Sequence, residues 1–257
     1  MLIENSKKKI IGSRISTGPY NLFIPEILNL SNNKQSSYIC VANVHMLIEG
    51  HNSRQFQQII NEADMVTPDG MPLAVGLKLL YGSHQDRVAG MDLLPDLLLE
   101  AEKQRLKVFF YGGTEQMQQA TQDHVRRHYP SLLSTGFHSP PFRPLTNDEE
   151  SEIIEKINAT GTNLVFVALG CPKQEKWMAS MKGRIHACMI GIGGALPVMV
   201  GMQSRAPEWM QRNSLEWLYR LYQEPRRLWK RYFITNSLFI LLFVREYISV
   251  KLFNKAL

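Results

Sequence analysis

Thr67, Asp69 and Gly70 stand in the turn-forming run TPDG, just after the short apolar pair Met65-Val66, and a helix-length insert later the chain reads DRVAGMD, with Asp86, Arg87, Gly90 and Asp92. Pro68 fixes its own φ and Gly70 reaches backbone angles that other residues avoid, so Asp69 is expected at a rigid bend. A carboxylate held this way can take the proton from an attacking hydroxyl, the work of a general base. The same carboxylate can instead serve the turn, or cap a helix beginning near Met71. The local pattern leaves both readings open.

The elements that must position this turn alternate along the chain. Apolar runs at 38–43 (YICVAN), 107–111, 132–137, 164–169 (LVFVAL) and 187–192 read as strands, the continuous run LVFVAL suiting burial on both faces. Helical spacing marks 52–62, 72–80, 93–104, 115–128 and 146–159, the last opened by a capping box of Thr146 and Glu149. Residues 1–37 offer only a polar lead-in and a short helix near 25–30. The expected fold is therefore α/β, a Rossmann-like, mostly parallel sheet with helices on both faces. Ligands of such sheets bind at the carboxyl ends of the strands. Asn43, Asp69, Gly112-Gly113, Gln174 and Gly193-Gly194 all fall at those ends. Gly112-Gly113-Thr114 before a helix is further suited to offering backbone N–H groups to an anion.

The C-terminal part has another character. Residues 207–223 read as one amphipathic helix, and Pro225 opens a second with Arg226, Arg227, Lys230 and Arg231 in its first turns, followed by LFILLFV at 238–244. That apolar run is short of the roughly 20 residues a spanning helix needs, so the expectation is a helix lying in the interface of an anionic membrane. An oligomer contact or a packed core helix is the competing explanation of the same face. The expected division is a catalytic domain over 1–204 and a helical appendage over 205–257.

Bulk properties set the limits. With 257 residues, 44% hydrophobic and 20% charged, the chain can bury a substantial core and is not a disordered segment. Its net charge of +6 gathers at the C-terminal end, where ten basic residues from Arg205 to Lys255 face four acidic ones. Those basic residues form no long stripe interleaved with exposed aromatics, which argues against nucleic acid. Cys40, Cys171 and Cys188 lack C-x-x-C spacing, which suits reduced thiols in the cytoplasm. The opening MLIENSKKKI is too short in apolar residues for an export signal. There is no Asp-x-Asp pair to suggest a metal, and no G-x-G-x-x-G after a strand to suggest a dinucleotide enzyme.

TPDG, RVAGMD, FFYGGT, LGCPKQEKWM, GIGGAL, RAPEWMQ and LEWLYRLYQEPRR, in this order, resemble the WecG/TagA/CpsF family of bacterial glycosyltransferases over about residues 38–231. The resemblance implies an inverting enzyme moving N-acetylmannosamine, its uronic acid or glucose from a UDP-sugar donor to an undecaprenyl-pyrophosphate-linked acceptor, and with no Asp-x-Asp pair neither cofactor nor metal is expected. Such enzymes build teichoic acid, capsule or exopolysaccharide, as peripheral proteins on the cytoplasmic face of the cell membrane. By the same resemblance Asp69 is the catalytic base, and Asn43 and Gln174 line the pocket. It also has Arg220, Arg227 and a basic residue at Lys230 or Arg231 meet diphosphate or lipid, while Thr67, Arg87, Asp92, Gly112, Gly113, Gly193 and Gly194 are expected around the substrate from their own places in the turns and strand ends. The chain departs from the family at Val41, where some members carry threonine. A non-catalytic membrane-recruited scaffold is the rival reading, and a homo-oligomer is compatible with either.

Overall fold

A computed structural model describes residues 7–213 and 215–253. The MLIEN lead and Lys255, used above, lie outside the described residues, as do the side chains of Arg212, Arg227, Leu252 and Phe253. In chain order the elements are β1 (Lys7–Ile10), β2 (Ser13–Ser16), α1 (Tyr20–Asn32), β3 (Ser37–Ala42), α2 (Val44–Asn52), α3 (Arg54–Glu62), β4 (Met65–Pro68), α4 (Met71–Tyr81), α5 (Gly90–Lys103) and β5 (Lys107–Gly112). Then follow α6 (Glu115–His128), β6 (Leu133–His138), α7 (Asn147–Ala159), β7 (Leu164–Ala168), α8 (Lys173–Met181), β8 (Cys188–Gly191), α9 (Ala195–Met199), α10 (Glu208–Arg212), α11 (Glu216–Gln223) and α12 (Pro225–Phe253).

Six strands form a parallel sheet in the order β4-β3-β8-β7-β5-β6. Alternation of side chains along each strand divides the core in two. Tyr38, Cys40, Phe109, Tyr111, Val165 and Val167 face one layer, packed by Leu47 of α2, Phe56 of α3, Leu77 of α4, Met178 of α8 and Phe239 of α12. Ile39, Val41, Val108, Phe110, Leu164 and Phe166 face the other, covered by Ile27 of α1, Leu94 and Leu97 of α5, Val125 of α6 and Leu196 of α9. This is the expected two-sided α/β architecture. The chain leaves β3 toward the first layer through α2 and leaves the adjacent β8 toward the second through α9. Neighbouring strands whose connections part to opposite faces open a crevice at their carboxyl ends.

Three local expectations change. Residues 7–16 form an antiparallel hairpin rather than a featureless lead-in, turning at Ile11 and Gly12, both with positive φ (50° and 78°), as a two-residue hairpin loop demands. The helix expected over 52–62 is α3, capped by Ser53 through the Phe56 N–H (3.3 Å), and a further helix, α2, precedes it, started by Asn43 accepting a hydrogen bond from the Met46 N–H (3.2 Å). The single helix expected over 207–223 is broken: Asn213 turns its amide back onto the Trp209 carbonyl (2.7 Å), the local competition that makes Asn a poor helix-interior residue.

The apolar run at 238–244 also proves to be part of something longer. α12 is continuous over 29 residues, about 44 Å, and its stretch Leu228–Lys251 is long and apolar enough to cross a membrane by length and composition. The expectation of too short a segment considered only the uninterrupted apolar core. α12 nonetheless packs along α2 and α4, burying Leu228, Thr235 and Phe239, and Glu246 Oε2 accepts the Ile11 N–H (2.8 Å).

Candidate active site

Asp69 leaves β4 at its carboxyl end. Its N–H donates to the Ala42 carbonyl (2.8 Å), so the bend is stitched to the end of β3. The chain returns from α4 to donate the Val88 N–H to the Pro68 carbonyl (2.9 Å) and the Gly90 N–H to Asp69 Oδ1 (3.2 Å). The carboxylate is thereby aimed by backbone on two sides. Burial pushes its pKa up to about 6; Arg220, Arg87 and the Gly90 N–H oppose that rise and Glu216 adds to it. Thr67 lies beneath the turn, fully buried with its hydroxyl unpartnered, and pairs in register with Val41 of β3. Asn43 adjoins the turn, its Cβ about 4.0 Å from the position a Gly70 Cβ would take, and spends its Oδ1 on capping α2.

The C-terminal segment supplies the other side. Arg87 donates from Nη1 to Glu216 Oε2 (2.8 Å) and from Nη2 to Asp92 Oδ2 (3.1 Å), and Arg205 reaches the second oxygen of Asp92. Alternating charges of this kind clamp α11 over the β4 end of the sheet. Arg220, one turn further along α11, places its guanidinium 3.2 Å from where a Cβ of Gly194 would be. Among the described residues it has no carboxylate within salt-bridge distance, whereas Arg87 and Arg205 are both committed.

Gln174 opens α8 at the end of β7. It is buried, accepts the Gly170 N–H at Oε1 (3.1 Å) and donates from Nε2 to Glu175 Oε1 (2.7 Å). Gly193, with φ of 43°, leaves room for it: a Cβ there would stand 3.2 Å from Gln174 Oε1. Glu175 is fully buried, and that burial pushes its carboxyl up to about 7 against hydrogen bonds from Gln174 and Cys171. Nothing in the linear sequence distinguished Glu175 from a first-turn helix carboxylate. Lys230 and Arg231 are exposed on the first turns of α12, and Arg231 faces His45 of α2, whose pKa falls through burial and then through that charge.

The crevice therefore gathers Asp69, Arg87, Asp92, Gln174, Gly193, Gly194 and Arg220. Gly112 and Gly113 lie apart, at the end of β5, which is four strands from β4, or roughly 19 Å. A Cβ on Gly112 would stand 2.6 Å from the Ala168 carbonyl oxygen, and the Gly113 N–H already donates to that same carbonyl (3.0 Å). Asp86 is likewise engaged elsewhere, accepting the Tyr20 N–H (2.8 Å) at the start of α1. Arg205 and Glu216 entered the sequence reading only as charges. Their signal lay in the RAPEWMQ and LEWLYRLYQEPRR segments, but the partners are more than a hundred residues away.

Residues 8–252 match the Glycosyl transferase WecG/TagA/CpsF family. Over 207 residues the chain is 32% identical to an N-acetylglucosaminyldiphosphoundecaprenol N-acetyl-β-D-mannosaminyltransferase of Bacillus spizizenii, covering 80% of this chain and 78% of that protein. The protein of the same description from Bacillus subtilis is 29% identical over 199 residues, covering 77% and 75%.

Proposed function

We propose, from the premise that this chain belongs to the Glycosyl transferase WecG/TagA/CpsF family, that it transfers N-acetylmannosamine from its UDP derivative to N-acetylglucosamine carried on undecaprenyl diphosphate. The chain is a glycosyltransferase of cell-surface polysaccharide synthesis, and the reading of individual residues is ours. The observation that carries it is Asp69: a carboxylate fixed by the Gly90 N–H and the β3–β4 backbone, with the positive charge of Arg220 acting on it and no carboxylate within salt-bridge distance of Arg220 among the described residues.

The acceptor hydroxyl attacks the anomeric carbon from the face opposite the leaving group and gives its proton to Asp69. A new C–O bond forms as the bond from that carbon to the UDP oxygen breaks, and UDP departs with the electron pair. Inversion follows from the in-line geometry. Above about pH 6 Asp69 is ionised and able to accept the proton. Arg220 meets the charge growing on the diphosphate, its planar fork being suited to two phosphate oxygens. Lys230 and Arg231, exposed on the first turns of α12, extend that positive lining toward the acceptor diphosphate. Gln174 and Asn43 hold sugar hydroxyls and the acetamido group at the floor. Arg87 and Asp92 act by holding α11 closed, with both guanidinium edges of Arg87 spent on Asp92 and Glu216.

A membrane-bound acceptor asks for a protein that reaches the bilayer, and α12 provides it from the cytoplasmic side. A spanning placement would strip Phe239 from the core and carry Glu246 away from Ile11, so α12 lies on the surface. The scaffold alternative leaves the aimed carboxylate and the Arg220 beside it without a purpose. The test is a panel of UDP-N-acetylmannosamine, its uronic acid and UDP-glucose with a short-chain N-acetylglucosaminyl diphosphate lipid. Inverted N-acetylmannosaminyl product is expected. Nucleotide-sugar binding with no transfer from any donor would return the scaffold reading.

A further inference from the structure

We infer that α4 is a second footing of the catalytic body on an anionic phospholipid surface, with Val75, Lys78 and Leu79 entering the headgroup layer beside α12. The inference rests on the lipid-linked reaction proposed above and extends it to an element outside the C-terminal segment.

Large exposed apolar side chains are unevenly spread. Of the seventeen among the described residues, twelve lie between Met202 and Ile248, and two more are Val75 (45% exposed) and Leu79 (46%) on α4. Val75, Lys78 and Leu79 follow i, i+3, i+4 spacing and so share one face. That face borders α12 directly: Gly76, next in sequence to Val75, packs so close to Phe243 that a Cβ on it would stand 3.1 Å from the ring. On α12 the exposed residues Trp229, Phe233, Ile240, Val244 and Ile248 run down the side away from the core.

Charge identifies the occupant. Exposed basic residues on the two helices are Lys78, Arg226, Lys230, Arg231, Arg245 and Lys251. α4 carries no acidic residue, and Glu246 of α12 is half-buried and bonded to Ile11. An apolar stripe whose own two helices carry exposed cations and no exposed carboxylate fits an anionic bilayer. A twofold contact with a second copy would instead set like charges against one another across the axis. The arrangement also bears on catalysis, because α4 starts two residues after Asp69 and Val75 is about 6 Å along its axis. Footing α4 on the bilayer holds the base near headgroup depth, where the diphosphate of a lipid-linked acceptor lies.

The experiment compares the full chain with V75S/L79S and with Lys78→Glu in co-sedimentation with vesicles of phosphatidylglycerol and phosphatidylcholine, and with phosphatidylcholine alone. Transfer to a short-chain water-soluble acceptor is measured in parallel. At least fivefold weaker binding to phosphatidylglycerol vesicles by V75S/L79S, with soluble-acceptor transfer unchanged, and a reduced phosphatidylglycerol preference in Lys78→Glu support the inference. Vesicle binding equal to wild type overturns it, as does a wild-type dimer that V75S/L79S dissociates without loss of vesicle binding. If the wild type transfers to no acceptor, the proposed reaction fails, and the vesicle comparison still decides the role of α4.

Discussion

Two glycine pairs end strands of the same sheet, and the sequence presents them alike. At Gly112-Gly113 both residues have positive φ, a Cβ would meet the Ala168 carbonyl at 2.6 Å or Met117 Sδ at 2.6 Å, and the Gly113 N–H is already bonded. At Gly193-Gly194 the nearest atoms are the Gln174 amide and the Arg220 guanidinium, both at 3.2 Å. The first pair lets backbones meet. The second lets the Gln174 and Arg220 side chains approach the backbone. What separates a structural glycine from one at a site is the neighbour, and the neighbour is a tertiary fact.

Substitutions can sharpen that contrast. Arg220→Ala removes the one cation of the crevice that has no carboxylate partner among the described residues, and we expect about 100-fold lower kcat/KM with an unchanged melting temperature, in line with losing a preorganised charge partner. Gly112→Ala should do the reverse: about 2 kcal/mol of stability lost in urea titration, with activity per folded molecule preserved. Gly194→Ala crowds the guanidinium without straining the backbone, since Gly194 is in the right-handed helical region, so roughly a tenfold fall in activity at full stability is expected. If the two alanine variants behaved alike, the contrast would collapse. The smallest effect belongs to Glu216→Gln, which removes a negative charge that raises the Asp69 pKa and frees Arg87, which lowers it. The rise of kcat/KM with pH, centred near 6 in the wild type because the base must be ionised, should move to lower pH.

Much of the fold could be read before it was seen, and the reasons are physical. Doubly buried strands announce themselves as continuous apolar runs, as in LVFVAL, and Thr146 with Glu149 marked the start of α7, where both capping bonds form. The β1–β2 hairpin stayed hidden behind three lysines, yet Lys7 finds the Ala63 carbonyl (2.6 Å) and Lys8 sits over the Tyr81 ring (4.6 Å). Those stabilising partners lie more than fifty residues away. The same holds for the site. Asp69 was visible because its turn is local, whereas the Arg87–Glu216 and Asp92–Arg205 clasp joins residues that only the folded chain brings together. α12 shows the limit of periodicity from the other side: its apolar content was plain, but which face met α2 and α4 was not.

The account stands on Asp69 as the base, and Asp69→Asn isolates that role because it keeps the size of the side chain and an oxygen for the Gly90 N–H. Single-turnover transfer should be measured beside UDP-sugar affinity in the same preparation. The account predicts affinity within about threefold of wild type and transfer reduced by roughly 1,000-fold or more. Substantial residual transfer, or affinity lost in step with turnover, would contradict it and leave the carboxylate a brace for the turn.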